Sequence, residues 1–473
     1  MLTAHTVEQI RAAEESLAER TGWDALMQRA ARGLADALED IPAGEVVVVL
    51  VGPGNNGGDA LFAASHLLGR GVRVDLCLLD AERVHSAGLA AAQAAGAQIV
   101  DAPSRQRYCI DALFGIGARA GLEGRAAEWA EWIGEQRPWT VAVDVPSGLD
   151  VDGATTGGPH VTADLTVTFG TYKPALLIDP AASACGDIVL VDIGLEPHLG
   201  DPVVRVIEPL DADLFLAALP DASGHKYSRG VLGVRAGSSQ YAGAAHLCIA
   251  GAQAGPAGMI RFAGDEGLAA RVVDRAPEVV AATGRVQAWV VGPGGGSSAG
   301  TALDDVLADG VPVVVDASAL DHLPDAFDVP TLLTPHAGEL ARMLGTDREV
   351  VEARPWEHAR RAAERWRATV LLKGPRTLVV RPDGVTAVNL TGTPWLGTAG
   401  AGDVLAGFIG SLLASGLEPF DAGALGAFLH GAAAVAANPG GPVTASDVAA
   451  TLPGVVADFL SGDLTDVRRE DWT

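Results

Sequence analysis

The chain is poor in cysteine, in positive charge and in long apolar runs, and each shortage removes a class of function. Four cysteines, Cys77, Cys109, Cys185 and Cys248, are scattered through 473 residues. They form no CxxC or Cys/His spacing, which argues against a zinc site or a disulfide framework and for a reducing, cytoplasmic setting. Against 59 Asp and Glu there are only 33 Lys and Arg, for a formal charge of −26. Nucleic-acid binding depends on neutralising phosphates with Lys and Arg and is not expected. A phosphorylated ligand would have to be held by backbone N–H groups and helix N-termini, because the overall field repels it. The most apolar stretch, residues 422–437, is interrupted by glycines and His430 and is shorter than the ~20 residues a bilayer needs. A buried core helix is expected there, and no membrane partner. The N-terminus, with His5, Glu8, Arg11, Glu14 and Glu15, lacks an apolar signal core and is expected to form an exposed helix.

What the chain has is glycine, 59 residues of it, and small apolar side chains: it is 48 % hydrophobic but only 5 % aromatic. At roughly 150 to 250 residues per α/β domain, this length predicts two domains. Val46–Val51 is a continuous, mostly β-branched run ending in a glycine loop, the pattern of a strand buried on both faces. Apolar runs at residues 72–79, 108–114, 140–145 and 165–169 alternate with Ala-rich stretches such as residues 87–95, which predicts a parallel, doubly wound sheet. Pro197, Pro202, Pro209 and Pro220 punctuate residues 196–224 around a short helical piece at Ala212–Ala218. The domain boundary is placed there, giving domains 1–210 and 211–473. A second alternating series at residues 231–234, 288–291, 311–315, 331–333, 369–372 and 377–380 ends in two apolar helices and a charged tail from Ser461. The halves share no motif order, so no internal repeat is expected.

In the first half, the strand Val46–Val51 runs into Gly52-Pro53-Gly54-Asn55-Asn56-Gly57-Gly58-Asp59, and a helix is expected from Ala60. Such a loop lets backbone amides approach a phosphate, with the helix dipole adding attraction, although a plain tight turn has the same pattern. Its two asparagines and aspartate supply oxygens that neither a dinucleotide fingerprint nor a Walker loop requires. Asp111 closes one strand ahead of Ala112-Leu113-Phe114-Gly115, and Asp144 another ahead of Val145-Pro146-Ser147-Gly148. Either aspartate alone fits a turn or helix cap. Three strand ends together point to one crevice beyond the carboxyl edge of the sheet.

The elements GNNGGD, DALFG and DVPSGLD, in this order, resemble the NAD(P)H-hydrate epimerase family over roughly residues 1–210. That resemblance implies a Rossmann-like three-layer α/β/α domain. By it, Asn55, Asn56, Gly57, Gly58 and Asp59, with Gly115, Ile116, Gly117, Ala118, Arg119, Ala120 and Gly121, would hold the hydrated cofactor. Asn56, Asp111 and Ser147 would ligate K⁺ through oxygen, and Asp144 would be the acid/base. Ala60 stands where the family commonly has glycine, which puts only loop geometry in question. Lys173-Pro174 also resembles a family element, but the default reading of Lys173 is a solvated lysine with no role.

In the second half, Thr398-Ala399-Gly400-Ala401-Gly402-Asp403 leads into an apolar helix. Small residues leave the N-terminal amides open as an anion hole, and an aspartate there can take a proton from an attacking hydroxyl, although GAGD is also compatible with a mere cap. Thr334-Pro335-His336-Ala337-Gly338-Glu339 opens another helix and is compatible with a capped turn. Lys373-Gly374-Pro375-Arg376-Thr377, between two strands, offers a cation and a hydroxyl for phosphates or simply a hairpin turn. Gly292 to Gly296 follows a further strand as a ligand contact or a flexible loop.

With His225-Lys226 and Gly230, these elements resemble the ADP-dependent NAD(P)H-hydrate dehydratases, whose fold is ribokinase-like. By that resemblance Lys373, Gly374, Pro375, Arg376, Thr377 and Gly402 would contact ADP, and Asp403, His336, Gly296 and Ala244 the hydrate. Asp403 would activate the C6 hydroxyl for attack on the terminal phosphoryl group. Mg²⁺ would bridge the nucleotide phosphates without a dedicated cage. Ala401 stands where the family often has threonine, a change expected to be tolerated. The expected substrates are the hydrates of NADH and NADPH and ADP, and the expected assembly is a homo-oligomer. Two other readings remain open on sequence alone: a ribokinase-like small-molecule kinase with an accessory nucleotide-binding domain, and a first half that binds cofactor without turnover.

Overall fold

The computed structural model describes residues 2–117, 119–219 and 227–464. Ala118, the His225-Lys226 pair and the end of the charged tail lie outside the described residues. The chain divides into two units, Thr3–Val204 and Arg205 onward with Leu2.

The main sheet of the first unit has seven strands: β1 (Val46–Val51), β2 (Arg73–Leu78), β3 (Gln98–Ile99), β4 (Tyr108–Ala112), β5 (Trp139–Val143), β6 (Leu165–Phe169) and β7 (Asp187–Val191). They pair in parallel in the order β7-β6-β5-β4-β1-β2-β3. The chain winds outward from β1, then returns to its other side with β4. The order therefore reverses between β1 and β4, and ligands bind beyond such a switch point. Val47 to Val51 are all buried, as a strand covered on both faces requires. The sheet is covered by helices that include α1 (Val7–Thr21), α2 (Trp23–Ala37), α3 (Asn55–Gly69), α4 (Ser86–Ala95) and α5 (Gly124–Gln136). Two corrections to the sequence reading arise here. Helix α3 begins at Asn55, not after Asp59, so the motif is the first turn of the helix rather than a loop before it. Helix α1 is not merely exposed: Ile10, Ala13, Leu17 and Ala18 are buried against the core. His5 is also buried, its Nδ1 2.8 Å from Thr171 Oγ1 and its Nε2 3.1 Å from the Gly200 carbonyl.

The second unit is built on a mostly parallel sheet. Eight strands of this sheet lie wholly within the unit: β8 (Val231–Arg235), β9 (Met259–Phe262), β10 (Ala288–Val291), β11 (Val313–Val315), β12 (Thr331–Leu333), β13 (Thr369–Leu372), β14 (Thr377–Val380) and β15 (Thr386–Asn389). Their order is β15-β14-β13-β12-β11-β10-β8-β9, parallel from β9 to β13 and antiparallel through the hairpin strands β14 and β15. Again the order reverses, here between β8 and β10. Helices α6 (Ala242–Gln253), α7 (Ala337–Leu344), α8 (Ala401–Ala414), α9 (Pro419–Ala437) and α10 (Ala445–Ser461) cover it, so three helices rather than two close the unit. Helix α9 is long and apolar enough to cross a membrane by length and composition, yet 78 % of that window is buried in the protein interior, as expected of a core helix.

Candidate active sites

In the first unit the carboxyl ends of β1, β4 and β5 gather the expected residues. Register places Asp111 of β4 beside Leu50 of β1 and Ala142 of β5. Asp111 is fully buried and accepts from the Ser147 amide (2.8 Å), the Ser147 hydroxyl (2.7 Å) and the Leu113 amide (3.2 Å). Burial pushes its carboxyl up to about 6, with the Ser147 and Leu113 hydrogen bonds working against the shift. Asn56 is in the first turn of α3, whose N-cap Gly54 has φ +96° and gives no side-chain cap, so the leading amides stay open. Its Nδ2 is buried without a hydrogen-bond partner. Buried polar atoms are rarely left so, and an orphan here is consistent with a site completed by a ligand.

Asp144 follows β5 with φ +69°, a conformation seldom adopted outside glycine. The backbone is held there by a hydrogen bond of 2.7 Å that the Asp144 amide donates to the Val167 carbonyl. Strain of this kind persists where surrounding structure enforces it, and it clusters at functional sites. A Cβ added at Gly115 would lie 3.0 Å from Asn56 Oδ1 and 3.3 Å from Asp144 Oδ2, so both oxygens border the space that glycine leaves. Gly117 faces Arg11 of α1, and the amide of Gly121 donates to the Gly148 carbonyl. Ile116 is half-buried, whereas Arg119 and Ala120 are exposed.

Three charged side chains at the candidate sites are not among the residues the sequence points to. Lys173 is not solvated: it is 1 % exposed, and its Nζ donates to Asp144 Oδ1 (2.5 Å), Thr168 Oγ1 (2.8 Å) and the Phe169 carbonyl (3.1 Å). The strand end β6 four residues upstream was the available signal. Glu14 of α1 has its carboxyl raised to about 7 by burial and by Asp144, with Lys173 and Arg11 opposing. Asp59 is raised well above its ordinary value by burial, then by Asp144 and Glu14. Three carboxyls thus crowd one buried cation. The third missed residue, Asp316, belongs to the second unit.

Because Gly115 is not in the left-handed region, alanine can adopt its backbone, and the effect of Gly115→Ala should be confined to the space it fills. Turnover in the first unit is expected to fall roughly 10- to 100-fold, the cost of misplacing reactants by a fraction of an ångström to an ångström. The melting temperature should move by no more than about 3 °C, since a change of 1 kcal/mol shifts it by a few degrees. Steady-state kinetics and a thermal melt check both.

In the second unit Asp316 directly follows β11, as Asp111 and Asp144 mark strand ends in the first. It is 2 % exposed, and its Oδ1 accepts from Lys373 Nζ (2.9 Å) and Thr334 Oγ1 (2.8 Å). Lys373 lies 3.9 Å from Glu339 Oε2, and a Cβ on Gly402 would be 3.4 Å from its Nζ. Burial works against the charge on Lys373, but Asp316, Glu339 and Asp403 outweigh it and raise its pKa. Helix α8 starts from Gly400 (φ +91°) without a side-chain cap, so its first amides around Gly402 are open to an anion. Asp403, in that turn, has its carboxyl raised to about 6 by burial and by Asp316, with Lys373 opposing.

His336 is the N-cap of α7: its Nδ1 accepts from the amides of Gly338 (3.0 Å) and Glu339 (3.2 Å), and Glu339 Oε2 accepts from the His336 amide (2.8 Å). The capping reading is realised while the ring stays exposed. The amide of Lys373 donates to the Pro335 carbonyl, so this turn and the Lys373-to-Thr377 hairpin are neighbours. Gly374 and Pro375 are exposed; Arg376 and Thr377 are half-buried. On the other side of Asp316, the Gly296 amide donates to Ser318 Oγ (3.2 Å). Ala244 packs where a Cβ on Gly294 would be 2.6 Å away. A cleft of about 560 Å³ opens at the β8/β10 reversal, lined by Gly237, Ser238, Ser239, Gly295 and Gly296. Among the described residues no group of three or more His, Cys, Asp or Glu is arranged to hold a metal ion.

Two doubly wound α/β units, each with an aspartate and an uncapped, glycine-started helix at the carboxyl ends of its strands, define a protein with two sites suited to anionic small molecules. Residues 232–453 match the family model described as NAD(P)H-hydrate dehydratase, and residues 23–175 that described as YjeF-related protein N-terminus. The chain is 42 % identical to the bifunctional NAD(P)H-hydrate repair enzyme of Mycobacterium leprae over 462 residues, covering 92 % of this chain and 94 % of that one. It is also 42 % identical to the enzyme of the same name from Mycobacterium tuberculosis, covering 89 % and 91 %. An ADP/ATP-dependent NAD(P)H-hydrate dehydratase from Bacillus subtilis, co-crystallised with ATP and Mg²⁺, superposes with a TM-score of 0.48 at 30 % identity, over 51 % of this chain and 95 % of that one. The chain belongs to the family of bifunctional NAD(P)H-hydrate repair enzymes.

Proposed function

We propose that the first unit interconverts the (R)- and (S)-hydrates of NADH and NADPH, and that the second dehydrates the (S)-hydrate at the expense of ADP. The observation that carries this reading is the pairing, in each unit, of a largely buried aspartate with open helix-start amides beyond the strand ends.

In the first unit Asp144 exchanges a proton with the C6 hydroxyl as that group leaves one face of the ring and returns to the other. Asn55 to Asp59 and the loop from Gly115 to Gly121 hold the cofactor. The donor set of Asn56 carbonyl, Asp111 carboxylate and Ser147 hydroxyl fits a hard monovalent cation, and K⁺ there would offset the buried charge on Asp111. In the second unit Asp403 takes the proton of the C6 hydroxyl, whose oxygen attacks the terminal phosphoryl group of ADP and displaces AMP. Phosphate then departs from C6 as the ring loses a proton, restoring the double bond. The amides around Gly402 and the Lys373-to-Thr377 hairpin hold the nucleotide, and Mg²⁺ carried in with it would offset the charge on its phosphates. His336, Gly296 and Ala244 face the hydrate. The four cysteines are buried and none is in a disulfide, which suits a reducing cytoplasm.

Incubation of the full chain with (S)-NADPH hydrate, ADP and Mg²⁺ should restore absorbance at the reduced-nicotinamide band with equimolar AMP and phosphate. The (R)-hydrate should be recovered only through the first unit. Exchanging K⁺ for Na⁺ should slow that route alone, by roughly 10-fold as expected for perturbing a metal-organised site. Accumulation of a stable phosphoester would overturn the reading in favour of a kinase.

A further inference from the structure

We propose that Lys173 is the positioning residue of the first site: it holds Asp144 Oδ1 so that Oδ2 alone exchanges the proton with the substrate hydroxyl. The inference rests on the reading of Asp144 as the acid/base.

A lysine almost never lies fully buried unless its charge is paired, and here all three donated bonds converge on the Asp144 turn and strand β6 beside it. Thr168 doubles the restraint. Its hydroxyl accepts from Lys173 Nζ and donates to Asp144 Oδ1 (3.3 Å), so two donors fix the same carboxylate oxygen. The other oxygen, Oδ2, borders the space beside Gly115 that Asn56 Oδ1 also borders. Asp144 is attached to a backbone in the left-handed region, whose side-chain direction differs from that of an ordinary strand end. Without a fixed partner, its carboxylate would be repelled by Glu14 and Asp59, the acids that face it from α1 and α3; Arg11 is the other cation facing Glu14. Lys173 supplies the opposing charge from a side that the substrate does not need. The chemistry balances on one oxygen: Asp144 enters the step protonated, its Oδ2 proton passes to the C6 hydroxyl as the C6–O bond breaks, water leaves with the ring nitrogen supplying the electron pair, and the carboxylate so formed is the one that Lys173 neutralises. The return on the opposite face reverses each movement and gives the proton back to Asp144.

Lys173→Met keeps the aliphatic stem and removes the three bonds. In the full chain, kcat for hydrate exchange is expected to fall roughly 100-fold with KM within about 3-fold, the signature of an interaction made in the transition state alone. Dehydration of pure (S)-hydrate should be unchanged. Thr168→Val, which removes no charge, should lose roughly 10-fold in kcat, and it decides the matter if Lys173→Met does not fold. On an Asp144→Asn background, Lys173→Met should cost no more than about 2-fold further, because the group it positions is gone. Exchange within about 3-fold of wild type in the folded single variants, a loss confined to KM, or losses that multiply in the double variant would overturn the inference. If Asp144→Asn itself exchanges at the wild-type rate, the reading of Asp144 fails instead.

Discussion

Asp403→Asn is expected to stop dehydration, with kcat lower by ~10³-fold or more, and at the same time to make the second unit more stable at neutral pH. The first effect follows from losing the group that takes the proton of the attacking hydroxyl; general base catalysis alone accounts for roughly 10² to 10⁴. The second follows from the environment of the carboxylate. Burial and the neighbouring Asp316 raise its pKa from 3.8 to about 6, which means that the folded protein resists ionising it. The sign is set by linkage. Folded, Asp403 binds its proton more tightly than unfolded, so stability falls as pH rises from about 4 through 6 and is lowest above that. A shift of about two units corresponds to roughly 2 to 3 kcal/mol, and an amide of the same shape does not carry that cost. Chemical denaturation at pH 7.5 should therefore show Asp403→Asn more stable than wild type by ~1 to 3 kcal/mol, the difference vanishing near pH 4. The wild-type dehydration rate should fall on the acid side with a midpoint near pH 6. A variant that is both inactive and less stable at pH 7.5 would show that Asp403 is held by structure and not poised for proton transfer.

Much of this site could be read from strand ends. Continuous apolar runs marked β1, β4, β5 and β6, and the polar residues that stop them are the ones that meet at the switch point. The same logic reaches Asp316, which stops the run ending at Val315. What remained hidden depends on pairs far apart in sequence. Lys173 is defined by Asp144, 29 residues upstream, and Lys373 by Asp316, 57 residues upstream. A lysine with no visible partner is rightly read as solvated, because burial without a counter-charge is prohibitive. Glu14 and His5 sit on an amphipathic N-terminal segment whose buried face is set by tertiary packing. The early start of α3 was hidden for another reason. Two glycines and two asparagines are poor helix formers, and the fold accepts their cost at the end where open amides serve a ligand. Strands β3 and β7, at the two edges of the first sheet, were not marked, being two residues long and largely exposed respectively.

Asp144→Asn should have the opposite effect on stability while silencing the first unit as thoroughly. Exchange of the hydrates is expected to fall by ~10² to 10⁴, the range for removal of a general acid/base. The full chain reports this directly: with a mixed hydrate preparation, ADP and Mg²⁺, wild type should recover all the reduced cofactor, whereas Asp144→Asn should stop once the (S)-fraction is consumed. The stability change has a different origin from that at Asp403. There the carboxylate is crowded by another acid; here it neutralises Lys173, which is 1 % exposed and donates to it at 2.5 Å. Taking away one partner of a buried ion pair leaves the other charged and desolvated, at a cost of roughly 3 to 5 kcal/mol. Asp144→Asn should therefore be destabilised by about that amount, and adding Lys173→Met should recover most of it while restoring no exchange. Stability without activity in the double variant would separate the two duties of the pair, since an apolar replacement can pack the space but cannot move a proton.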